Sequence, residues 1–317
     1  MSATAPTETQ FLDNLAAMVK ADPAQAAKDL APYLAQSYEN PQLIDLYFGI
    51  VDKVKADGTP ASNLAAAELG STALSYMPSM RRAVQTRNAI GLKALALVAD
   101  VADDERAALL AFRVVRDIRK GRAHKAASYV TLERAGKIAD KKKAASTAHF
   151  VYSNTVYDET KIAAGQKMLE AAAGMTDITE AAETAVSAME KIGHHNPVKQ
   201  QAAADALGYA RRIPANKAKV AAVAYKVLYG AKEGSDEVLQ AGTLVLDNAH
   251  AVADPKEALM YVEAVTTCTP KDSHVCLEAE TVLGAFKAAV PKSPIRPKEL
   301  SVAEIKDLQA VALETLR

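Results

Sequence analysis

The chain has 317 residues, of which 50% are hydrophobic, 5% aromatic and 24% charged, with no tryptophan and a net charge of zero. This length and composition allow a sizeable core and exclude disorder along the whole chain. No stretch approaches about 18 uncharged apolar residues, and the first ten residues lack a secretory signal pattern. We therefore expect no membrane span, and a location in the cytoplasm or within a macromolecular assembly.

Charge is distributed unevenly along the chain. Residues 1–80 contain 4 Lys/Arg and 9 Asp/Glu, residues 81–143 contain 16 and 7, and residues 144–317 contain 18 and 22. This acidic, basic, acidic order suits contacts between oppositely charged surfaces. The segment 81–143 is therefore the part of the chain best suited to binding an anionic partner.

Prolines mark the expected helix starts. Six of the 13 prolines follow a residue that is favoured as an N-cap, in the pairs Asp22-Pro23, Asn40-Pro41, Thr59-Pro60, Asn196-Pro197, Asp254-Pro255 and Thr269-Pro270. The side-chain oxygen accepts a hydrogen bond from the first helical turn, and the proline gives up an N–H that has no helical partner. Between these starts apolar residues recur at helical spacing, so we expect roughly sixteen helices with short connections and no strands.

The segment from His149 to Tyr157 interrupts the alanine-rich helical pattern with aromatic and β-branched residues. We expect a helix end there, followed by an irregular junction between two halves. The first half, 1–150, is predicted to be all-α and to contain the basic segment 81–143. The second half, 158–317, is predicted to be a helical repeat that ends in a C-terminal helix.

Residues 160–290 repeat with a period of about 38 residues. Aligned at that step are Gly165, Ala203, Ala241 and Ala279, and four residues later Leu169, Leu207, Val245 and Leu283. A period of this length with two helices is typical of an α-solenoid. In this general sense the segment resembles the helical-repeat families such as HEAT and tetratricopeptide repeats, which implies an all-α stack of helical hairpins. An irregular multi-helix bundle is the alternative.

Recognisable catalytic motifs are missing from the sequence. It contains no glycine-rich phosphate loop, no nucleophile elbow and no HExxH zinc motif. The acidic groups Asp103-Asp104-Glu105 and Asp236-Glu237 are expected at helix starts, where they complement the helix dipole. His194 and His195 are expected in a turn between helices. We therefore predict no catalytic, metal-binding or cofactor-binding residue, and an all-α enzyme with an unrecognised motif stays open.

The basic segment supplies a candidate interaction patch. Arg106, Arg113, Arg116 and Lys120 fall on one arc of the helix predicted over 103–120, opposite its apolar stripe. The complete candidate patch is Arg81, Arg82, Arg87, Arg106, Arg113, Arg116, Lys120, Arg122, Lys125, Lys141, Lys142 and Lys143.

The function predicted from the helical repeat and the order of charges is that of a non-enzymatic scaffold. It would bind a protein partner, or further copies of this chain as a homo-oligomer. Nucleic acid is the alternative partner, disfavoured by zero net charge and few aromatic residues for stacking. A solvated charged face with no partner also stays open.

Both cysteines lie in the stretch CTPKDSHVC, from Cys268 to Cys276, with His274 between them. If Thr269 is an N-cap, the two cysteines lie about 10 Å or more apart, which is too far for a disulfide. Cys276 also aligns with Val238 in the repeat. We therefore expect small packing residues at a hairpin turn rather than a disulfide or a metal site. A helix that begins nearer Ser273 would favour the disulfide.

Overall fold

The computed structural model describes residues 8–36, 42–77, 83–193 and 197–289, and every regular element in these ranges is a helix. The α-helices are α1 (Glu8–Ala21), α2 (Pro23–Leu30), α3 (Gln42–Lys55), α4 (Pro60–Ala73), α5 (Val84–Val98), α6 (Asp104–Asp117), α7 (Arg122–Lys137), α8 (Lys141–Asn154), α9 (Asp158–Ala173), α10 (Ile178–Lys191), α11 (Pro197–Ala210), α12 (Lys217–Gly230), α13 (Asp236–Asn248), α14 (Pro255–Cys268) and α15 (His274–Ala289). Three short 3-10 segments accompany them, at Ala31–Gln36, Leu74–Tyr76 and Ala249–Ala251.

After α1 the described helices fall into seven successive pairs, and the start of the first helix in each pair recurs at a nearly constant step. The side-chain oxygens that accept hydrogen bonds from these first turns belong to Asp22, Thr59, Asp103, Asp140, Asp177, Asn216 and Asp254. The steps between them are 37, 44, 37, 37, 39 and 38 residues. The predicted helical-hairpin repeat is thus confirmed, and it extends well before residue 160.

Within unit 1, neighbouring pairs pack through their equivalent helices. First helices contact first helices, as in α4 with α6 and α6 with α8, and second helices contact second helices, as in α5 with α7 and α7 with α9. Close approach depends on small residues. A Cβ atom on Gly165 of α9 would lie 2.6 Å from Cδ1 of Ile192, the residue that follows α10. Gly91 of α5 accommodates Ile118 after α6 in the same way.

A polar side chain near the start of the second helix satisfies carbonyls at the end of the first. In the α6–α7 pair this is the buried His124, whose Nδ1–H donates to the carbonyl oxygens of Val115 and Ile118. In the α10–α11 pair Lys199 donates to the carbonyl of Ile192 at 3.3 Å. Burial lowers the pKa of Lys199. These side chains donate hydrogen bonds to carbonyl groups at the ends of helices, which have no partner within the helix.

Contacts divide the described chain into two units. Unit 1 lies within Met1–Arg212 and also takes in Gly230–Lys232, and unit 2 lies within Ile213–Tyr229 and Glu233–Arg317. The helix end predicted near residue 150 is present, since α8 ends at Asn154, but α8 and α9 pack together across the expected junction. The halves 1–150 and 158–317 therefore differ from these units and remain a prediction about sequence organisation.

Three of the six proline-marked helix starts are confirmed. Asp22, Thr59 and Asp254 cap α2, α4 and α14 through their side chains. The residues Asn40, Pro41 and Asn196 lie outside the described part of the chain, as does the predicted C-terminal helix beyond residue 289. The acidic groups that begin at Asp103 and Asp236 do lie at the starts of α6 and α13.

The start predicted at Thr269-Pro270 is wrong. Thr269 follows the last residue of α14, and its hydroxyl donates back to the carbonyl of Val265 at 2.7 Å. The next helix begins at His274, and the Ser273 hydroxyl accepts from the Cys276 N–H at 3.2 Å. Even so, both thiols are free, so there is no disulfide between them. Cys276 is buried as a packing residue, whereas Cys268 is only half-buried.

Candidate functional site

Six of the ten patch cations that the structure describes are engaged by the fold itself. Arg87 points inward and donates to the carbonyls of Met77, at 2.8 Å, and Asp117. Arg116 pairs with Asp117 at 2.9 Å, and Lys125 pairs with Glu159 at 2.7 Å. Arg87 and Lys125 join neighbouring elements, whereas Arg116 pairs with the next residue of its own helix. The two ion pairs reduce the positive charge available to a partner.

The lysines at the start of α8 form a second set of contacts. Lys141 donates to the carbonyl of Ile138 at 3.2 Å. Lys143 pairs with Glu105 of α6 at 3.0 Å, and Lys142 pairs with Glu180 of α10 at 2.6 Å. Hydrogen bonds to these carboxylates raise the pKa of both lysines. The first turns of three successive first helices are thus joined by alternating acid and base.

Four patch cations make no ion pair with any residue in the described ranges: Arg106, Arg113, Lys120 and Arg122. Arg106 and Arg113 lie two turns apart on the same face of α6. Arg81 and Arg82 fall outside the described residues. The wider patch therefore reduces to these four side chains, and their role in binding stays a prediction.

An open groove of about 300 Å³ runs between α6 and α8. Its apolar floor contains Leu109, Phe112 and Phe150, and Phe112 stacks on Phe150 with ring centroids 5.7 Å apart. Phe150 is 52% exposed and Leu109 is 43% exposed. The ion pair between Lys143 and Glu105 lies at the N-terminal end of the groove. The groove therefore combines uncovered apolar surface with a charged rim.

A smaller groove of about 200 Å³ follows between α8 and α10. It is lined on one side by His149 and Ser146 and on the other by Glu183 and Ser187. Burial and the charge of Lys191 lower the pKa of His149. The two grooves share Lys142 and Ser146, so they flank the same helix, α8.

Unit 2 carries an aromatic cluster at the corresponding place, between α12 and α14. Tyr225 stacks on Tyr261 with ring centroids 4.5 Å apart, and it meets Tyr229 edge-on at 5.2 Å. Tyr261 is buried, and its hydroxyl donates to Glu257 Oε1 at 2.5 Å. Tyr229 is 57% exposed, and Met260, beside Tyr261 in the chain, is 43% exposed. We call these three rings the tyrosine cluster.

No group of three or more His, Cys, Asp or Glu side chains converges as a metal site among the described residues. His194 and His195 lie outside those ranges. Within the same ranges no helix is both long and apolar enough to cross a membrane.

Sequence reasoning missed both the groove and the tyrosine cluster. The signal for the groove was present, because Phe112 and Phe150 are separated by the same 38 residues as the repeat. The pairs Glu105–Lys143 and Lys142–Glu180 are also 38 residues apart. Extending the repeat into the first half of the chain would have brought all of them together.

Comparison with known proteins identifies no relative. No protein-family model and no curated protein matches the chain. Among solved structures, a chain from "Computational Design of Self-Assembling Cyclic Protein Homooligomers" is 14% identical, with 87% of this chain and 94% of that chain covered and a TM-score of 0.15. A similarity of this size carries no argument about the protein.

Proposed function

We propose that the protein is a non-enzymatic helical-repeat scaffold that binds a segment of a partner protein in the groove between α6 and α8. The observation that supports this most directly is the stacked pair Phe112 and Phe150 on the floor of an open groove. Large apolar side chains that remain exposed together are a common mark of interaction surfaces. Aromatic residues also contribute much of the binding energy at protein interfaces.

The surroundings of the groove indicate what kind of segment fits. Its lining runs from Glu105 to Phe112 on α6, about two helical turns, so it fits a short helix or a short extended peptide. The rim charges Lys143 and Glu105 already neutralise each other. We therefore expect an apolar side chain of the partner to bind between the two rings, with charge setting orientation rather than affinity.

The unpaired cations on α6 favour an acidic flank on that segment. Arg106 and Arg113 face away from the apolar stripe of the helix and have no partner in the described residues. Acidic side chains next to the anchoring residue would meet this charge and speed association. A second copy of this chain is a further candidate partner, since the segments before 81 and after 143 are acidic in net charge.

The proposal is tested with the double variant Phe112→Ala, Phe150→Ala. The native protein and the variant are used as bait, and captured proteins are identified by mass spectrometry and then purified for direct titration. We expect the dissociation constant of the purified partner to rise at least about tenfold in the variant. The matched control is Tyr129→Ala, which removes a ring that is 42% exposed on α7. Equal affinity for all three baits would contradict the proposal.

Binding of nucleic acid is the second candidate, and it rests on the unpaired Arg106, Arg113, Lys120 and Arg122. Four phosphate contacts would make affinity fall steeply with salt. Titration of labelled single- and double-stranded oligonucleotides at low and high salt measures this directly. The charge-reversal variant Arg106→Glu, Arg113→Glu should then abolish binding, whereas Phe112→Ala, Phe150→Ala should preserve it. Absence of salt-dependent binding removes this candidate.

A further inference from the structure

The groove between α8 and α10, here the second groove, is the counterpart of the first groove between α6 and α8, one repeat later. Asp103 and Asp140 cap α6 and α8 and are 37 residues apart, and residues that line the two grooves are related by the same step. Leu109, Phe112, Thr147 and Phe150 of the first groove correspond to Ser146, His149, Thr184 and Ser187 of the second. At equivalent positions, one groove therefore has aromatic rings and the other has hydrogen-bonding side chains.

The side chains of the second groove both donate and accept hydrogen bonds. Ser187 is half-buried, as is His149, whose Nε2 lies 3.1 Å from Oγ of Ser153. Burial and the charge of Lys191 lower the pKa of His149, so its imidazole is neutral at pH 7, with one donor and one acceptor nitrogen. Hydroxyl groups also do both. An apolar side chain in this groove would take water away from these groups without replacing its hydrogen bonds.

The charges around the second groove balance. Glu180 and Glu183 line it, and both raise the pKa of Lys142. Lys142 pairs with Glu180 at 2.6 Å. Lys191 lies close enough to His149 to influence its pKa. With two acids and two bases, the groove favours a neutral side chain that donates and accepts hydrogen bonds, as the amides of Asn and Gln do.

The two grooves meet over a low part of α8. Lys142 and Ser146 line both of them. Ser146 is exposed and occupies the position that Leu109, which is 43% exposed, has on α6. Because serine is much smaller than leucine, an extended ligand can pass over α8 at this point. Packed helices lie about 8–10 Å apart and three residues of extended chain span about 10 Å, so every third side chain reaches the next groove.

We propose that the two grooves form one binding surface for an extended peptide of the partner protein, with an aromatic or aliphatic side chain in the first groove and Asn or Gln three residues away in the second. The apolar side chain packs against Phe112 and Phe150, and the amide exchanges hydrogen bonds with the groups around His149 and Ser187. This inference rests on the proposed function, to which it adds a second contact. It restricts the partner to segments with this spacing of apolar and amide side chains.

Selection from a phage-displayed library of short random peptides on the native full chain gives the first test. We expect the enriched peptides to combine an aromatic or aliphatic residue with Asn or Gln at the third position before or after it. Replacement of that amide residue by Ala in a synthetic peptide should raise the dissociation constant about fivefold, the loss expected for one or two hydrogen bonds.

The variant Ser146→Leu tests whether the peptide crosses α8. It places on α8 the side chain that α6 has at this position, so it should raise the dissociation constant of an enriched peptide about tenfold by a steric clash. The matched control Thr243→Leu adds the same side chain at an exposed position on α13 and should leave the affinity unchanged. Both positions are exposed, so neither change disturbs the core.

The double variant His149→Phe, Ser187→Phe tests the chemistry of the second groove. It gives this groove the two rings of the first, so selection on the variant should enrich a second apolar residue in place of Asn or Gln. Circular dichroism shows whether the variant is folded, and if it is not, Ser146→Leu alone decides.

The outcomes separate this inference from the proposed function. Peptides that lose affinity in Phe112→Ala, Phe150→Ala but bind Ser146→Leu as tightly as the native protein would contradict the joint surface and leave the proposed function intact. The same consensus from the native protein and from a folded His149→Phe, Ser187→Phe would also contradict it. A selection without any peptide that depends on Phe112 and Phe150 would contradict both proposals.

Discussion

The groove between α6 and α8 and the cluster between α12 and α14 occupy the same place in the repeat but are built differently. The groove leaves Phe150 and Leu109 exposed, and the ion pair at its rim is exposed to solvent. The cluster buries Tyr261 and links its hydroxyl to Glu257. Exposed ion pairs contribute little to stability, whereas ring burial contributes much. The cluster therefore holds its two helices together, while the groove keeps its aromatic surface available to a partner.

The largest difference between the two regions should appear when Tyr261 is truncated. Tyr261→Ala removes a ring that is 5% exposed and should lower the free energy of unfolding by about 3 kcal/mol. Urea denaturation followed by circular dichroism measures this. Tyr261→Phe keeps the ring and should lose only about 1 kcal/mol, because Glu257 is exposed and finds water. Equal losses in both variants would assign the stabilisation to the hydroxyl instead.

The next largest difference between the two regions should appear in their response to alkaline pH. Burial, the bond to Glu257 and neighbouring charge raise the pKa of the Tyr261 hydroxyl, so the folded state favours the neutral ring. This contribution is fully present below the unfolded pKa near 10 and is lost as the pH rises further. Tyrosine absorbance measures the titration. Tyr261 and Tyr47 should ionise after the other tyrosines, in a late phase of the absorbance change at the highest pH. The amplitude of this late phase should decrease by the signal of one tyrosine in Tyr261→Phe. An unchanged late phase would contradict this assignment.

The aromatic pair in the groove should show a smaller effect. A double-mutant cycle with Phe112→Ala and Phe150→Ala should give a coupling of about 0.5–1.5 kcal/mol, the usual range for an aromatic pair. The free energy of unfolding of the four proteins measures it. A coupling energy of zero between Phe112 and Phe150 would mean that the two rings do not stabilise each other and that each packs only on its own helix.

The smallest expected effect belongs to the rim of the groove. Glu105 raises the pKa of the exposed Lys143 through a hydrogen bond and its charge. Glu105→Gln should therefore lower that pKa toward its ordinary value, which NMR titration of the lysine side chain detects. The melting temperature should hardly change, since both side chains are more than half exposed. The variant Lys137→Gln, which breaks an exposed pair within α7, serves as the control.

The sequence predicted the fold better than the surfaces. Helix starts at Asp22, Thr59 and Asp254 follow from local chemistry, because the cap and its proline act within one turn. The start at Thr269 failed since its hydroxyl bonds backward to Val265 and Ser273 takes over the cap. Local patterns such as Thr-Pro do not reveal which of two competing partners a hydroxyl will choose.

The basic patch shows why surfaces are harder to predict. Arg113 and Arg116 have the same charge and lie on the same helix, yet Arg116 is paired with Asp117 and Arg113 is not. Arg87 even turns inward to bond with carbonyl oxygens. Each outcome depends on how a side chain is oriented and on what lies within its reach, which a count of charges along the chain does not contain.

The alternation of charge along the first turns of α6, α8 and α10 has a consequence for how this chain can change length. Asp140 and Asp177 are 37 residues apart, so deletion of residues 140–176 would bring Asp177 to the place that Asp140 now occupies. Glu180 would then face Glu105 where Lys143 does now. Two carboxylates would then repel each other across the new interface. The charges in the first turns therefore match each hairpin to its present neighbours and favour the present order of the hairpins.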